Sequence, residues 1–277
     1  MSPRLVTTVV ELREALEPWR GAPIAMVPTM GALHDGHLSL VAEAASHAPR
    51  TLVSIFVNPT QFAPHEDFAA YPRSLESDMA KLAGKTDIVF APNAAEMYRP
   101  GFATTVTVGG PALGLESDFR PHFFAGVATV VAKLLLAARP DLAVFGEKDY
   151  QQLLVVKQMA ADLDLPVRIM GAPTLREVDG LAMSSRNSYL GAEQRRVAAK
   201  LNLILKDVVA WARSGDLRAA EQRGAKALLD AGFDSVDYVA IRDAETLAVI
   251  ETLDRPARVL AAARLGGIRL IDNMPIA

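Results

Sequence analysis

The chain has 277 residues, 51% of them hydrophobic and 22% charged, enough to bury a large core and near the length at which chains divide into two domains. Its 29 basic and 32 acidic side chains leave a formal charge of −3, which gives a polyanion such as duplex DNA no overall attraction, so any phosphate must be gripped locally. There is no cysteine, which removes disulfides, thiolate metal ligands and a protein-bound thioester and agrees with a reducing, cytoplasmic setting.

The opening MSPRLVTTVVELREALEPW mixes charges every few positions and does not read as a signal peptide. After it, short β-branched runs alternate with helical patterns. IAMV (24–27), TLVSIFV (51–57), DIVFA (87–91), LAVFG (142–146) and VRIMG (167–171) predict strands. Residues 38–48, 74–83, 125–138 and 151–163 predict helices between them, with Pro166 as the stop signal after the last. Such alternation belongs to βαβ units around a parallel sheet. The stretches 58–73 and 109–124 carry too little periodicity for either element, and loops this long in a compact domain are more often functional than accidental. The most apolar stretch, VATVVAKLLLAA, falls short of the roughly 18 residues a bilayer span needs and is broken by Lys133. It predicts a core helix, and no membrane partner.

Beyond Pro173 the texture changes. Residues 192–215 predict one long amphipathic helix with a glycine stop, and 218–231 predict another; VDYVAIRD (236–243), ARVLAAARL (257–265) and IRLIDN (268–273) then read as strands. The expected organisation is an α/β domain with a parallel sheet over 1–175 and a smaller α+β domain over 176–277.

In an open α/β sheet, ligands lie beyond the carboxyl ends of the strands, near helix N-termini that favour anions. MGALHDGH (30–37) follows the first strand and opens a helix, so His34 and His37, three apart, can share one face at its positive end and suit a phosphate chain. From spacing alone, a solvated Asp-Gly turn with incidental histidines fits equally well. A zinc site would lack the Glu of H-E-x-x-H, and five histidines without a cysteine offer little to complete one. FGEKDYQQ (145–152) follows the fourth strand, where Lys148 could neutralise a phosphate and Asp149 bind a hydroxyl or hydrated metal; taken alone, it is also an ordinary charged surface turn. GLAMSSRNSYL (180–190) could close hydroxyls and Arg186 over phosphates, or simply cap the next helix. No G-x-x-x-x-G-K-[ST], strand-borne G-x-G-x-x-G or G-x-S-x-G is present, which disfavours P-loop kinases, typical dinucleotide dehydrogenases and α/β-hydrolases.

HDGH and MSSRN together resemble the HIGH and KMSKS signatures of the nucleotidylyltransferase superfamily, which includes class I aminoacyl-tRNA synthetases. PTMGALHDGHLSLV, SIFVNPTQF, EDFAAYPR, FGEKDYQQL, DGLAMSSRNSYL and ARLGGIRLIDN, in that order over nearly the whole length, resemble the pantothenate synthetase family. The resemblance implies a Rossmann-like N-terminal domain, a smaller C-terminal domain that closes over the active site, and a homodimer. It implies ATP-dependent condensation of pantoate with β-alanine through pantoyl adenylate, with AMP and pyrophosphate released and Mg2+ on the phosphates. By motif position, Met30, Gly31, Ala32, Leu33, His34, Asp35, Gly36 and His37 would form an ATP-binding strip, with His34 and His37 on the phosphates and His37 as proton donor. Gly146, Glu147, Lys148 and Asp149 would hold the nucleotide, Lys148 on the phosphates and Asp149 near the ribose. Gln61 and Gln152 would hold pantoate, while Leu175, through its backbone, and Met183, Ser184, Ser185 and Arg186 would complete the ATP site. No protein metal ligand is expected. Two departures stand out. Where the family reads R-P-G-H-F, this chain has RPHFF at 120–124, with Phe123 in the histidine position and His122 in that of the glycine; after NPTQF the family's glycine is Ala63. The alternatives are a nucleotidylyltransferase with a stable nucleotide product and a synthetase-like RNA-binding protein, the latter opposed by the acidic balance.

Overall fold

Successive residues of the first long strand face two different cores, and that alternation organises the larger half of the molecule. The computed structural model describes residues 2–62, 68 and 74–276. In chain order it contains β1 (Arg4–Val6), α1 (Val9–Leu16), β2 (Ile24–Thr29), α2 (Asp35–His47), β3 (Arg50–Ile55), α3 (Leu75–Leu82), β4 (Ile88–Phe90), α4 (Ala94–Met97), α5 (Glu116–Phe119), α6 (Phe123–Ala138), β5 (Leu142–Gly146), α7 (Tyr150–Asp162) and β6 (Arg168–Ala172). Ile24 and Met26 of β2 pack with Leu12 and Leu16 of α1 and the apolar residues of α6, whereas Ala25 and Val27 pack with Val41 and Ala44 of α2 and Leu82 of α3. A sheet covered on both faces needs continuous apolar strands, which is why IAMV shows no polar alternation.

The six strands run parallel in the order β1-β4-β3-β2-β5-β6. From β2 the chain builds outward to β3 and β4; it then returns to place β5 on the other side of β2. The reversal leaves a crevice beyond the carboxyl ends of β2 and β5, where ligands of open α/β sheets bind. After β6 come α8 (Ala192–Ala198), α9 (Lys200–Ala212), α10 (Leu217–Asp230), β7 (Ser235–Asp243), β8 (Ala257–Leu265) and β9 (Ile268–Ile276). These last strands form an antiparallel sheet ordered β7-β8-β9. Leu201, Leu205 and Val208 of α9 and Leu228 of α10 bury against its Val259, Ala261 and Ala263.

Three expectations need correction. The single helix over 192–215 is two, α8 and α9, meeting at Ala199. Their partners differ: Arg195 of α8 reaches out to Glu177 and Asp179, while α9 lays its apolar face on the small sheet. The stretch 109–124 is not without elements, since a 3-10 turn (Gly110–Ala112) and α5 lie in it and α6 begins at Phe123. Single turns are too short to show a period; these are held from outside, Gln151 of α7 donating to Pro111 O and Gly114 O and accepting the Glu116 N–H. The three-residue edge strand β1 has no counterpart among the strands expected from the sequence. Of 58–73, the described part contains a 3-10 turn at Pro59–Gln61; EDFAAYPR, apart from Phe68, and Ala63 lie outside the described residues.

Candidate active site

His34 is the N-cap of α2, extended at φ −133 and ψ 175. Its Nδ1 accepts the Gly36 N–H at 3.2 Å, and the Nδ1 of His37 accepts the His34 N–H at 3.3 Å, so both rings satisfy orphan donors at the helix start. A nitrogen that accepts carries no proton. Each neutral imidazole therefore bears its hydrogen on Nε2. The rings lie 4.1 Å apart, tilted by 45°. Burial, then His34, then Lys148 and Lys81 pull the His37 pKa down to about 3. His34 is also lowered, chiefly by burial and then by Lys148, against an opposite pull from Asp35 and Glu177. Near neutrality the pair is uncharged and offers two N–H donors. Gly36 is required by the close approach: a Cβ there would stand 2.9 Å from His34 Nδ1 and 3.4 Å from Met183 Cβ.

That second distance already joins the first motif to the third. Leu175 and Met183 are themselves paired, the Met183 N–H donating to Leu175 O at 3.0 Å. Arg176, between Leu175 and the turn at Gly180, makes a bidentate pair with Asp272 of β9 at 2.7 and 2.9 Å. Ser184 caps the 3-10 turn Ser185–Tyr189, its Oγ accepting the Arg186 N–H at 3.3 Å. Asn187 Nδ2 donates to Glu177 Oε1 and Ala182 O, pinning the turn from beneath.

Lys148 lies in the 3-10 turn Glu147–Asp149 at the end of β5. Asn273 of β9 donates through Nδ2 to both Glu147 O and Lys148 O at 2.9 Å. Arg258 of β8 pairs with the Glu147 carboxylate at 3.2 Å, stacks 3.7 Å over Tyr150, and bonds to Asn273 Oδ1. Thus the small sheet braces the lysine turn.

Gln61 sits on the facing wall. Its Oε1 accepts from Asn58 Nδ2 at 3.1 Å, its Nε2 approaches Met30 Sδ at 3.0 Å, and its backbone carbonyl accepts from Arg120 Nη2 at 3.1 Å. Arg120 also pairs with Glu116, whose two carboxylate oxygens both accept from Nη1 of Arg269 on β9, at 2.8 and 2.7 Å. The RPHFF departure puts Phe123, beneath the Arg120 guanidinium at 3.9 Å, on the cavity wall together with Phe124, while His122 is exposed.

One cavity of about 790 Å³ gathers these groups. Met30, His34, Gly36 and His37 line it, as do Gly146, Lys148 and Asp149. So do Gln61, Gln152, Leu175, Met183, Ser184, Ser185 and Arg186. Gly31, Ala32, Leu33, Asp35 and Glu147 do not; Leu33 is buried in the core behind the strip, and Glu147 turns its carboxylate to Arg258. Sequence reasoning missed Arg120, Arg258, Arg269 and Asn273. The signal for two of them was the ARLGGIRLIDN motif, to which no role was attached. Among the described residues no three His, Asp or Glu side chains gather as a metal cage. Magnesium borne by a nucleotide is held largely by phosphates and water with one or two carboxylates, so it does not call for such a cage. No helix among the described residues is long and apolar enough to cross a membrane.

Comparison with known proteins gives a consistent picture. The family model described as pantoate-beta-alanine ligase matches residues 4–275. A pantothenate synthetase of Nitrobacter hamburgensis is 55% identical over 281 residues, covering 99% of each chain. The crystal structure of pantothenate synthetase from Thermus thermophilus superposes with a TM-score of 0.92 at 48% identity, covering 98% of both. A Francisella tularensis pantoate-beta-alanine ligase, complexed with beta-gamma ATP and beta-alanine, gives 0.84 at 32% identity over 99% of this chain and 97% of that one.

Proposed function

The chain belongs to the pantoate–β-alanine ligase family, and on that premise we propose that it joins pantoate to β-alanine with ATP through a pantoyl-adenylate intermediate. The observation that carries the reading is the convergence of two imidazole N–H donors, an ammonium, two serines and a guanidinium, from three separate motifs, on one cavity at the sheet's switch point. Adenylyl transfer depends on aligning the reactants and on stabilising charge on the phosphates, and these groups supply both.

In the first step a pantoate carboxylate oxygen attacks the α-phosphorus of ATP; the bond to the β-phosphate oxygen breaks and pyrophosphate leaves. His34 and His37 donate from Nε2 to the phosphate oxygens, Lys148 and Arg186 offset their charge, and Ser184 and Ser185 add hydroxyl donors. His37 then acts as a neutral donor, in place of the proton-donating acid implied by the resemblance. Asp149 holds the ribose, and the Leu175 and Met183 backbones, with the strip from Met30 to His37, bound the nucleotide. Gln61 and Gln152 orient pantoate through their carboxamides. In the second step the β-alanine amine attacks the acyl carbon, the bond to AMP breaks, and the amine proton passes to solvent. Mg2+ on the phosphates supplies further charge neutralisation. A homodimer and a cytoplasmic location, with the C-terminal domain closing on the site, belong to the same reading through the family resemblance.

Labelled pyrophosphate is expected to exchange into ATP when pantoate is present and β-alanine absent. Exchange that ignores pantoate, or ADP as the product, would overturn the assignment.

A further inference from the structure

Asp78 and Lys81 stand one turn apart on α3, outside the cavity wall, and both reach the strip that carries the histidines. Asp78 is 1% exposed. Its Oδ2 accepts the Ala32 N–H at 2.9 Å and its Oδ1 the Leu33 N–H at 2.8 Å, so both carboxylate oxygens are given to consecutive amides. Lys81 Nζ donates to Leu33 O at 2.7 Å. Between them the two side chains take both backbone polar groups of Leu33, the residue before the N-cap. The strip needs such a hold, because it passes through the left-handed region at Gly31 (φ +83) and then at Ala32 (φ +51), where a side chain is disfavoured. Gly31 also meets the clamp directly, since a Cβ there would stand 3.0 Å from Asp78 Oδ2.

A merely space-filling role at position 78 would suit an apolar residue, without the cost of desolvating a carboxylate. We infer that Asp78 and Lys81 are positioning residues for adenylyl transfer: from α3 they fix the backbone on which His34 and His37 present Nε2–H to the nucleotide phosphates. The inference rests on the ligase reading above. The Lys81 charge has a second effect, opposing protonation of both rings alongside Lys148, while Asp35 and Glu177 pull His34 the other way.

The test compares the full chain with Asp78→Asn, Asp78→Ala, Lys81→Met and, as control on the exposed side of α3, Glu76→Gln. Pantoate-dependent pyrophosphate exchange gives kcat and both KM values per folded molecule, and nitrogen NMR of the imidazoles gives ring tautomer and titration. Asp78→Asn is expected to lower kcat about tenfold or more, with each KM within about threefold and the His34 and His37 signals displaced. Lys81→Met, which threatens folding least, is expected to lower kcat about threefold and to move the onset of ring protonation to higher pH. Glu76→Gln should match the wild type. If the Asp78 and Lys81 variants keep wild-type kcat per folded molecule and unchanged ring signals, even with a lowered Tm, the clamp only supports the fold and the inference is overturned. A wild-type protein without pantoate-dependent exchange would instead sink the ligase reading, and ring signals unmoved by Asp78→Asn would then overturn the positioning role on their own.

Discussion

His37 is held in one protonation state by its place in the chain as much as by its burial. Protonating its Nδ1 would turn a proton toward the His34 N–H that it now accepts, at the positive end of α2. The folded-state pKa near 3 lies below the usual histidine value of 6.5, so the unfolded chain binds the proton more readily. The resulting stability is fully present above pH 6.5 and is lost as the pH falls toward 3. Between pH 7 and 5 it amounts to about 2 kcal/mol. Urea unfolding at the two pH values should show this loss in the wild type, and His37→Gln should remove most of it. Because glutamine keeps an N–H donor, that variant should also retain adenylation within about tenfold, whereas His37→Ala loses about a hundredfold or more. Equal losses in the two variants would mean that His37 acts by giving up a proton.

At the scale of elements, α6 and the turn Pro59–Gln61 touch with nothing between them. Asn58 Nδ2 donates to Gly126 O at 3.1 Å, and a Cβ on Gly126 would stand 2.5 Å from Thr60 O. Neither backbone can yield cheaply. Gly126→Ala should therefore displace the Gln61 wall, raising the pantoate KM about tenfold while the ATP KM stays within about twofold, at a stability cost of about 1–3 kcal/mol. Steady-state kinetics with each substrate varied, together with urea unfolding, checks both figures. This contact was invisible in the sequence, where Gly126 is one small residue of a helical pattern. The strands and longer helices were legible because their periods are local: LAVFG and ARVLAAARL match β5 and β8 residue for residue. The break at Ala199 and the single turn of α5 were not, since each depends on partners far along the chain.

Across the whole molecule, the same division separates legible from hidden parts of the candidate site. HDGH, EKD and MSSRN read as polar turns at strand ends or beside a helix, each equally open to an ordinary turn, and their resemblance to the family's motifs is what named their members in advance. Asp78 looks like one more acid on an amphipathic helix, and only the fold brings it beneath residues 32 and 33. Asn273 lies 125 positions from Lys148 yet takes its carbonyl. Asn273→Ala removes both bonds to the lysine turn, and should raise the ATP KM roughly tenfold and lower stability by about 1–3 kcal/mol, with pantoate binding less affected. Exchange kinetics and chemical unfolding together test this.

The brace from β9 also sets a timetable. A ribosome delivers this strand after every other element described, so a nascent chain can carry each histidine, lysine and serine of the site while the loop bearing its ammonium still lacks its far anchor. A chain cut short before Ile268 lacks that anchor and is incomplete at its business end, however much of the larger sheet has formed.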